Sequence, residues 1–321
     1  MKIIDTHCDV LYKLQIAKRR KSKLPSFRSA PDLAANLERL KAGKVFVQFF
    51  AIFVDPSIPQ SEKWAAACEQ IDLFHHEVLA LNPEMKHIRS WSDLTKLKAG
   101  EIGAVLALEG VEPIGSDLEK LHDLYEEGVL SVGLTWNKAN LAADGALERR
   151  HGGLTSFGED IVDLNNEHSV LTDLSHLSER SFWDVLNYAH YPIASHSNAR
   201  AICDHPRNLS DIQLHALFSK KGLINLTFYP PYISTDYAEK TTKIEDLLRH
   251  IDYISSLAGK EYLGFGSDFD GIDLFVEDLA HAGEYEHLID SLGLYYTDKE
   301  IRGFSSNNFL NFIKRVAGAA Q

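Results

Sequence analysis

Three imidazoles and three carboxylates sit where short hydrophobic runs of this chain break off: His7 and Asp9 after KIID, Glu109 after IGAVLAL, His176 after SVLTDLS, His196 after PIAS and Asp268 after YLGFGS. Imidazole nitrogens and carboxylate oxygens are the donors that hold a borderline cation such as zinc. Donors carried on the ends of separate strands converge only if those strands lie side by side and parallel, and the open end of a barrel gathers them in that way. The pattern points to a metallohydrolase.

The residues divide by geometry. On an extended strand the side chains at i and i+2 share a face, so His7 and Asp9 would reach one ion while Cys8 between them points into the core. Glu109 follows a wholly apolar run, and a carboxylate with two oxygens can bridge two cations about 3.5–4 Å apart. His176 and His196 each close a candidate strand and suit a second ion, with Asp173 and Ser175 as candidate hydrogen-bond partners behind them. Asp268 lies in GFGSDFDG, where the glycines permit close approach. It follows its strand directly, ahead of its competitor Asp270, and suits the role of general base or proton shuttle. His75, His76, His87, His122, His168, His281 and His287 fall in helical or connecting segments and take structural readings.

These residues need a scaffold that repeats. Apolar runs rich in Val, Ile, Leu and Phe occupy Lys2–Asp5, Lys44–Phe53, Ile102–Leu108, Val129–Thr135, Ser169–Leu174, Pro192–Ser195, Gly222–Phe228 and Tyr262–Ser267. Several are continuous rather than alternating, as expected of strands buried on both faces of a parallel sheet. Helical periodicity fills the intervals: Asp32 to a C-capping Gly43, Ser61–Leu81, Asp117–Gly128, Ser178–His190 behind the N-cap Ser178, Ser210–Lys220, Lys243–Ala258 and Thr297–Val316. The alternation predicts one (β/α)8 TIM barrel over residues 1–321. A doubly wound open sheet would gather its ligands at one switch point, whereas these come from five different strands. The polar stretch from Asn137 to Phe157 is expected to lie over the mouth as a cover or substrate wall.

Composition narrows the partners. With 321 residues, 45% hydrophobic and a formal net charge of −13, the chain lacks the basic face that nucleic acid or anionic lipid requires. Cys8, Cys68 and Cys203 have no paired spacing, which argues against a disulfide framework. No run of 18 apolar residues and no signal-like leader is visible, so the expectation is a cytoplasmic protein without membrane attachment.

Taken together, DTHCD, LEG, LTW, SFGEDIVDLN, DLSH, SHSNAR, RNLSD, NLTFYPPYIS and GFGSDFDG, in that order along most of the chain, resemble the membrane (renal) dipeptidase family of amidohydrolase-like barrels. The resemblance implies two zinc ions, with His7 and Asp9 on one, His176 and His196 on the other and Glu109 bridging. It implies that Asp268 handles the proton and that Arg207 pairs with the terminal carboxylate of a dipeptide, a task that suits a guanidinium. Arg200 is the competing cation. It also implies tolerance of a D-residue at the C-terminal position, and a homodimer is the common assembly for barrels of this kind.

One position departs from the family. Where its members usually carry a histidine that contacts the substrate carbonyl, this chain has Trp136, a donor that cannot become charged. Losing such a donor costs on the order of 10²–10³ in rate, so His151 or Asn137 would have to compensate, or the substrate differs. The expected chemistry is attack on a dipeptide amide by a hydroxide generated between the metals, with Asp268 passing the proton to the leaving amine and Trp136 against the substrate. A deaminase or lactonase on the same barrel is the alternative enzyme, and a weakened barrel kept as a binding protein is the alternative outside catalysis.

Overall fold

The apolar runs become parallel strands because continuous Val, Ile, Leu and Phe can cover both faces of a sheet at once. A computed structural model describes residues 1–319. Its strands are β1 (Ile3–Asp5), β2 (Val45–Phe53), β3 (Met85–His87), β4 (Ile102–Glu109), β5 (Val129–Gly133), β6 (Leu171–Asp173), β7 (Pro192–Ala194), β8 (Leu223–Leu226) and β9 (Leu263–Phe265). They run in the order β2-β1-β9-β8-β7-β6-β5-β4, all parallel, and β2 pairs with β4 from Val47–Gly103 to Phe53–Glu109, which closes the ring. This is the (β/α)8 barrel that the sequence predicts. The extra strand, β3, was too short to read. It covers the start of β4 at Met85–Ile102, an edge that β5 leaves free until Leu106.

The chain returns through helices, among them α1 (Val10–Arg19), α2 (Leu37–Ala42), α3 (Gln60–Leu73), α4 (Glu119–Glu126), α5 (Ser156–Glu167), α6 (Glu179–Tyr188), α7 (Asp211–Ser219), α8 (Pro230–Ile233), α9 (Ile244–Ile254), α10 (Tyr285–Leu292), α11 (Asp298–Arg302) and α12 (Asn308–Ala319). Phe50, Ile52, Leu106 and Leu108 face outward into the layer between barrel and helices, while Val47, Phe49, Val105, Leu130 and Ile193 fill the interior. The interior cluster continues into Phe309, Phe312, Ile313 and Val316 of α12. Asn308 at the head of that helix donates to the carbonyls of Lys260 and Leu263, where β9 begins. The helix thus plugs the N-terminal end of the barrel and leaves the other end open.

Local expectations hold where local chemistry decides. Ser178 caps α6 by accepting from the Ser181 amide, and Ser210 forms a capping box with Gln213. The segment from Asp32 departs from expectation. The amides of Ala34 and Ala35 donate to the carboxylate of Asp270 at 2.8 and 2.9 Å, so the helix starts only at Leu37 behind the cap Asn36. Gly43 ends that helix with an ordinary φ of −77° rather than a left-handed one. Its glycine answers a close approach instead, since a Cβ there would lie 1.8 Å from the Ala282 carbonyl oxygen. No helix among the described residues is long and apolar enough to cross a membrane.

His250 ties the loop after β7 to the rest of the shell. It is fully buried, its Nδ1 accepts from the Ala199 amide and its Nε2 donates to the Ile233 carbonyl. Acceptance at Nδ1 needs the neutral ring, and burial pushes its pKa down to about 4. Between pH 6.5 and about 4 the unfolded chain therefore takes up a proton that the folded chain refuses. Folding stability is expected to fall over that window by about 3 kcal/mol from this residue. Denaturant titrations at stepped pH should show a shallower fall for His250→Asn.

Candidate metal centre

Glu109, the last residue of β4, stands at the centre of the open end. Its Oε2 lies 3.6 Å from Nε2 of His7, and its Oε1 lies 2.9 Å from Nε2 of His176 and 3.7 Å from Nε2 of His196. Asp9 and Asp268 approach the same His7 nitrogen at 3.4 and 3.9 Å. All six residues singled out at strand ends meet here. His7, Glu109 and His196 form one group whose donor atoms lie within 4.8 Å of one another, and His7, Asp9 and Asp268 form another. Asp268 thus stands within ligand reach as well as in position to carry a proton.

The local route to this convergence differs from simple strand alternation. β1 ends at Asp5, an isolated bridge from Cys8 to Phe269 carries the extended chain onward, and Asp9 occupies the N-cap of α1. Cys8 is fully buried, facing the core as expected. His176 and Asp268 have φ of 68° and 67°, a left-handed backbone that non-glycine residues rarely adopt. Such conformations cost on the order of 1–3 kcal/mol and persist only where the surroundings over-determine them.

Those surroundings are two buried aspartates. Asp5 accepts from both the amide and the hydroxyl of Ser267, at 2.9 and 2.7 Å, immediately before Asp268. Asp173 accepts from the amides of Ser175 and Ser195 at 2.9 Å each and from the Ser195 hydroxyl, immediately before His176 and His196. Gly266 lets β9 close on this clamp, because a Cβ there would meet the Ser195 carbonyl oxygen at 1.7 Å. Asp173 and Ser175 were legible as second partners. Asp5, Ser195 and Ser267 were missed, although the recurrence of Ser immediately before His196 and Asp268 was the available signal.

The hydrogen bonds also set the imidazole tautomers. The Ser195 hydroxyl gives its proton to Asp173, so it accepts from Nδ1 of His196 at 2.7 Å. The side-chain Oδ1 of Asn137 accepts from Nδ1 of His176 at 2.9 Å. With both Nδ1 protonated, the two Nε2 atoms turn lone pairs toward each other at 2.8 Å. Nε2 of His7 is buried with no hydrogen-bond partner. Lone pairs aimed at one another, with a carboxylate between them, repel unless a cation stands among them. The residues present fit divalent metal ions.

Electrostatics separate His176 and His196 from His7. Burial, reinforced by the charge of Arg207, pushes His176 down to about 3. His196 is held well below its usual value by burial together with the His7 and Arg207 charges. Both rings are therefore neutral donors. Burial also opposes charge on His7, but the Glu109 and Asp9 carboxylates overcome it and raise its pKa. Asp268 rises well above the ordinary carboxylate range through burial, with Asp9 and Glu109 adding to it.

The cavity above these donors has a volume of about 300 Å³ and is lined by Tyr12, Phe53, Trp136, Asn137, Tyr229, Tyr232 and Ile272 besides the site residues. Arg207 is only 2% exposed, its guanidinium lies 5.5 Å from the Tyr232 ring, one Nη donates to the His196 carbonyl and its Nε has no partner. Arg200, the competing cation, is bound to the Asn208 carbonyl and pairs with Glu179. His151 lies in an exposed turn on a different pocket, so of the two candidate substitutes for the missing histidine only Asn137 reaches the site. Most of the segment from Asn137 to Phe157 is not a cover. The buried Asp144 latches it to the start of α6 through Ser178 and Ser181 and pairs with Arg150, so within it only Asn137 lines the cavity.

Known proteins share this chain's sequence pattern and fold. The profile of the membrane dipeptidase family, peptidase family M19, matches residues 1–321. The chain belongs to the membrane dipeptidase family. Membership makes it a metallo-dipeptidase. An uncharacterised dipeptidase of Schizosaccharomyces pombe is 30% identical over 98% of this chain and 80% of its own length. Dipeptidase aclJ of Aspergillus oryzae is 33% identical over 79% of this chain, which spans 63% of that longer protein. A solved family M19 metallopeptidase, dipeptidase AC, superposes with a TM-score of 0.91 at 25% identity, covering 99% of both chains.

The clamp behind His196 makes a prediction. Ser195→Ala removes the acceptor that fixes the His196 tautomer, and loss of such a partner weakens metal binding about 10- to 100-fold. Competition with a calibrated chelator should show that loss while circular dichroism stays unchanged.

Proposed function

We propose that this chain is a zinc-dependent dipeptidase with two ions at its centre, built as one (β/α)8 hydrolase domain over residues 1–321. The orientation of Glu109 carries the reading: one oxygen faces His7 and the other faces His176 and His196. That arrangement suits a carboxylate shared between a His7–Asp9 ion and a His176–His196 ion. Such a pair of ions would polarise the scissile carbonyl and supply a water acidic enough to ionise near neutral pH.

The chain's own residues supply the rest. Asp9, Glu109 and Asp268 offset most of the charge of two divalent ions, so the centre exerts little net pull on a carboxylate. Arg207, buried with a free Nε, is the group suited to grip the C-terminal carboxylate of a dipeptide. Asp268 Oδ1 stands 3.9 Å from Nε2 of His7, and its raised pKa suits a carboxylate that takes a proton from the attacking water and returns it to the departing amine. Trp136 lines the cavity and forms part of its wall. Tolerance of a D-residue at the C-terminal position belongs to the same reading. So do a homodimeric assembly and a cytoplasmic setting, the latter supported by three free cysteines.

Metal analysis of the purified protein should give about two zinc per chain together with cleavage of free dipeptides such as L-Ala-D-Ala. Full metal loading without any amide cleavage, but with turnover of a lactone or an aminopurine, would sink the proposal. Asp268→Asn is expected to lower kcat by about 10²–10⁴ with zinc content retained. Restoring the family's histidine through Trp136→His should raise kcat on small dipeptides, which steady-state kinetics would read directly.

A further inference from the structure

The cavity has two unlike sides, and the ring order decides which part of a substrate meets each. Arg207 comes from the loop after β7, and Phe53 ends β2. In the closed order β2-β1-β9-β8-β7-β6-β5-β4 those strands lie four places apart in either direction, on opposite sides of the barrel axis, and Arg207 is held on the β7 side by its bond to the His196 carbonyl, behind the cavity-lining ring of Tyr232. The metal donors lie between them. A dipeptide held by its carboxylate at Arg207, with its amide over the donors, must send its N-terminal residue toward β2.

What stands there is a continuous aromatic face. The rings of Tyr12 and Phe53 meet edge-on at 5.1 Å, and Phe53 and Trp136 lie 5.3 Å apart. The Tyr12 hydroxyl is tied back to the Asp55 carboxylate at 2.8 Å, which fixes the orientation of its ring and occupies its polar end. All three residues line the cavity, and Phe53 is 9% exposed. Aromatic surface left partly open at a cavity wall gains from being covered by apolar groups, and aromatic partners add an edge-to-face contribution.

Resting on the dipeptidase reading, we propose that Tyr12, Phe53 and Trp136 form the subsite for the N-terminal side chain, and that the preferred substrates are dipeptides with a large apolar or aromatic N-terminal residue. The same wall gives Trp136 a use that a histidine at this position would not serve, since an indole contributes area where an imidazole contributes a polar donor. The Asp55 carboxylate at the edge of this face is already engaged by the Tyr12 hydroxyl and by Ser57, so acidic and basic N-terminal side chains gain little from it.

A series with a common achiral C-terminal residue isolates the effect from stereochemistry. Steady-state kinetics of the zinc-loaded full chain would be measured on Gly-Gly, L-Ala-Gly, L-Leu-Gly, L-Phe-Gly, L-Glu-Gly and L-Lys-Gly. The specificity constant kcat/KM is expected to rise from Gly-Gly to L-Phe-Gly by roughly 10- to 100-fold, with the Glu and Lys dipeptides near Gly-Gly. In Phe53→Ala the ratio of L-Phe-Gly to Gly-Gly should shrink at least fivefold, while Phe53→Leu, which keeps the bulk, should retain a preference for L-Leu-Gly. A flat series in the unaltered protein overturns the subsite and needs no variant to fold. An undiminished ratio in a Phe53→Ala protein that is folded by circular dichroism and carries its zinc also overturns it. Absence of cleavage across the whole series despite bound zinc overturns the dipeptidase reading beneath it, a distinct result.

Discussion

Glu109 is a carboxylate only 10% exposed, with imidazoles on both of its oxygens, and the mouth of the barrel is organised to keep it there. Desolvating a carboxylate and three ring nitrogens together is costly unless charge is balanced and lone pairs are occupied. The protein itself completes neither: the Nε2 atoms of His176 and His196 confront each other, and that of His7 has no hydrogen bond. A site in this condition stores a demand for cations. The surrounding structure holds the donors in place rather than letting them relax.

Restraint comes from beneath, through a device used twice. Asp5 and Asp173 each clasp the serine that precedes a site residue on the next strand of the ring, Ser267 before Asp268 and Ser195 before His196. Each aspartate also lies a few residues ahead of a histidine in its own strand end, His7 or His176. One carboxylate therefore sets the position of two site residues from neighbouring strands. That helps explain how left-handed backbone at His176 and Asp268 is tolerated. The apolar floor made by α12 completes the arrangement by filling the barrel beneath these buried polar clamps.

Above the donors the barrel is asymmetric. Tyr229 and Tyr232 line the β7–β8 side with the buried Arg207 packed against Tyr232, and Tyr12, Phe53 and Trp136 occupy the side of β1, β2 and β5. Trp136 stands where the two aspects of the site meet: its ring centre lies 6.1 Å from that of His176, and it belongs to the aromatic face. The side chain of its neighbour Asn137 orients that same histidine. Two consecutive residues thus serve the cavity wall and the donor cluster beneath it.

Much of this was legible in the chain. Continuous apolar runs that end in His, Asp or Glu specify buried parallel strands with donors at one end, because strand burial and donor chemistry are both properties of local residue types. His7, Asp9, Glu109, His176, His196 and Asp268 could be named on that basis, and Ser178 and Ser210 could be placed as caps from adjacent residues alone. The sequence by itself thereby determined the barrel and its donor set. Tertiary structure decided what depends on partners distant in the chain. Asp270 took the amides of Ala34 and Ala35 and delayed a helix, Ala282 explained Gly43, and Asp144 drew the loop after Asn137 to the side of the mouth. Tautomers of His176 and His196, the burial of Arg207 and the opposition of Arg207 to Phe53 likewise exist only once the ring has closed, because each is a relation between strands and no single segment carries it.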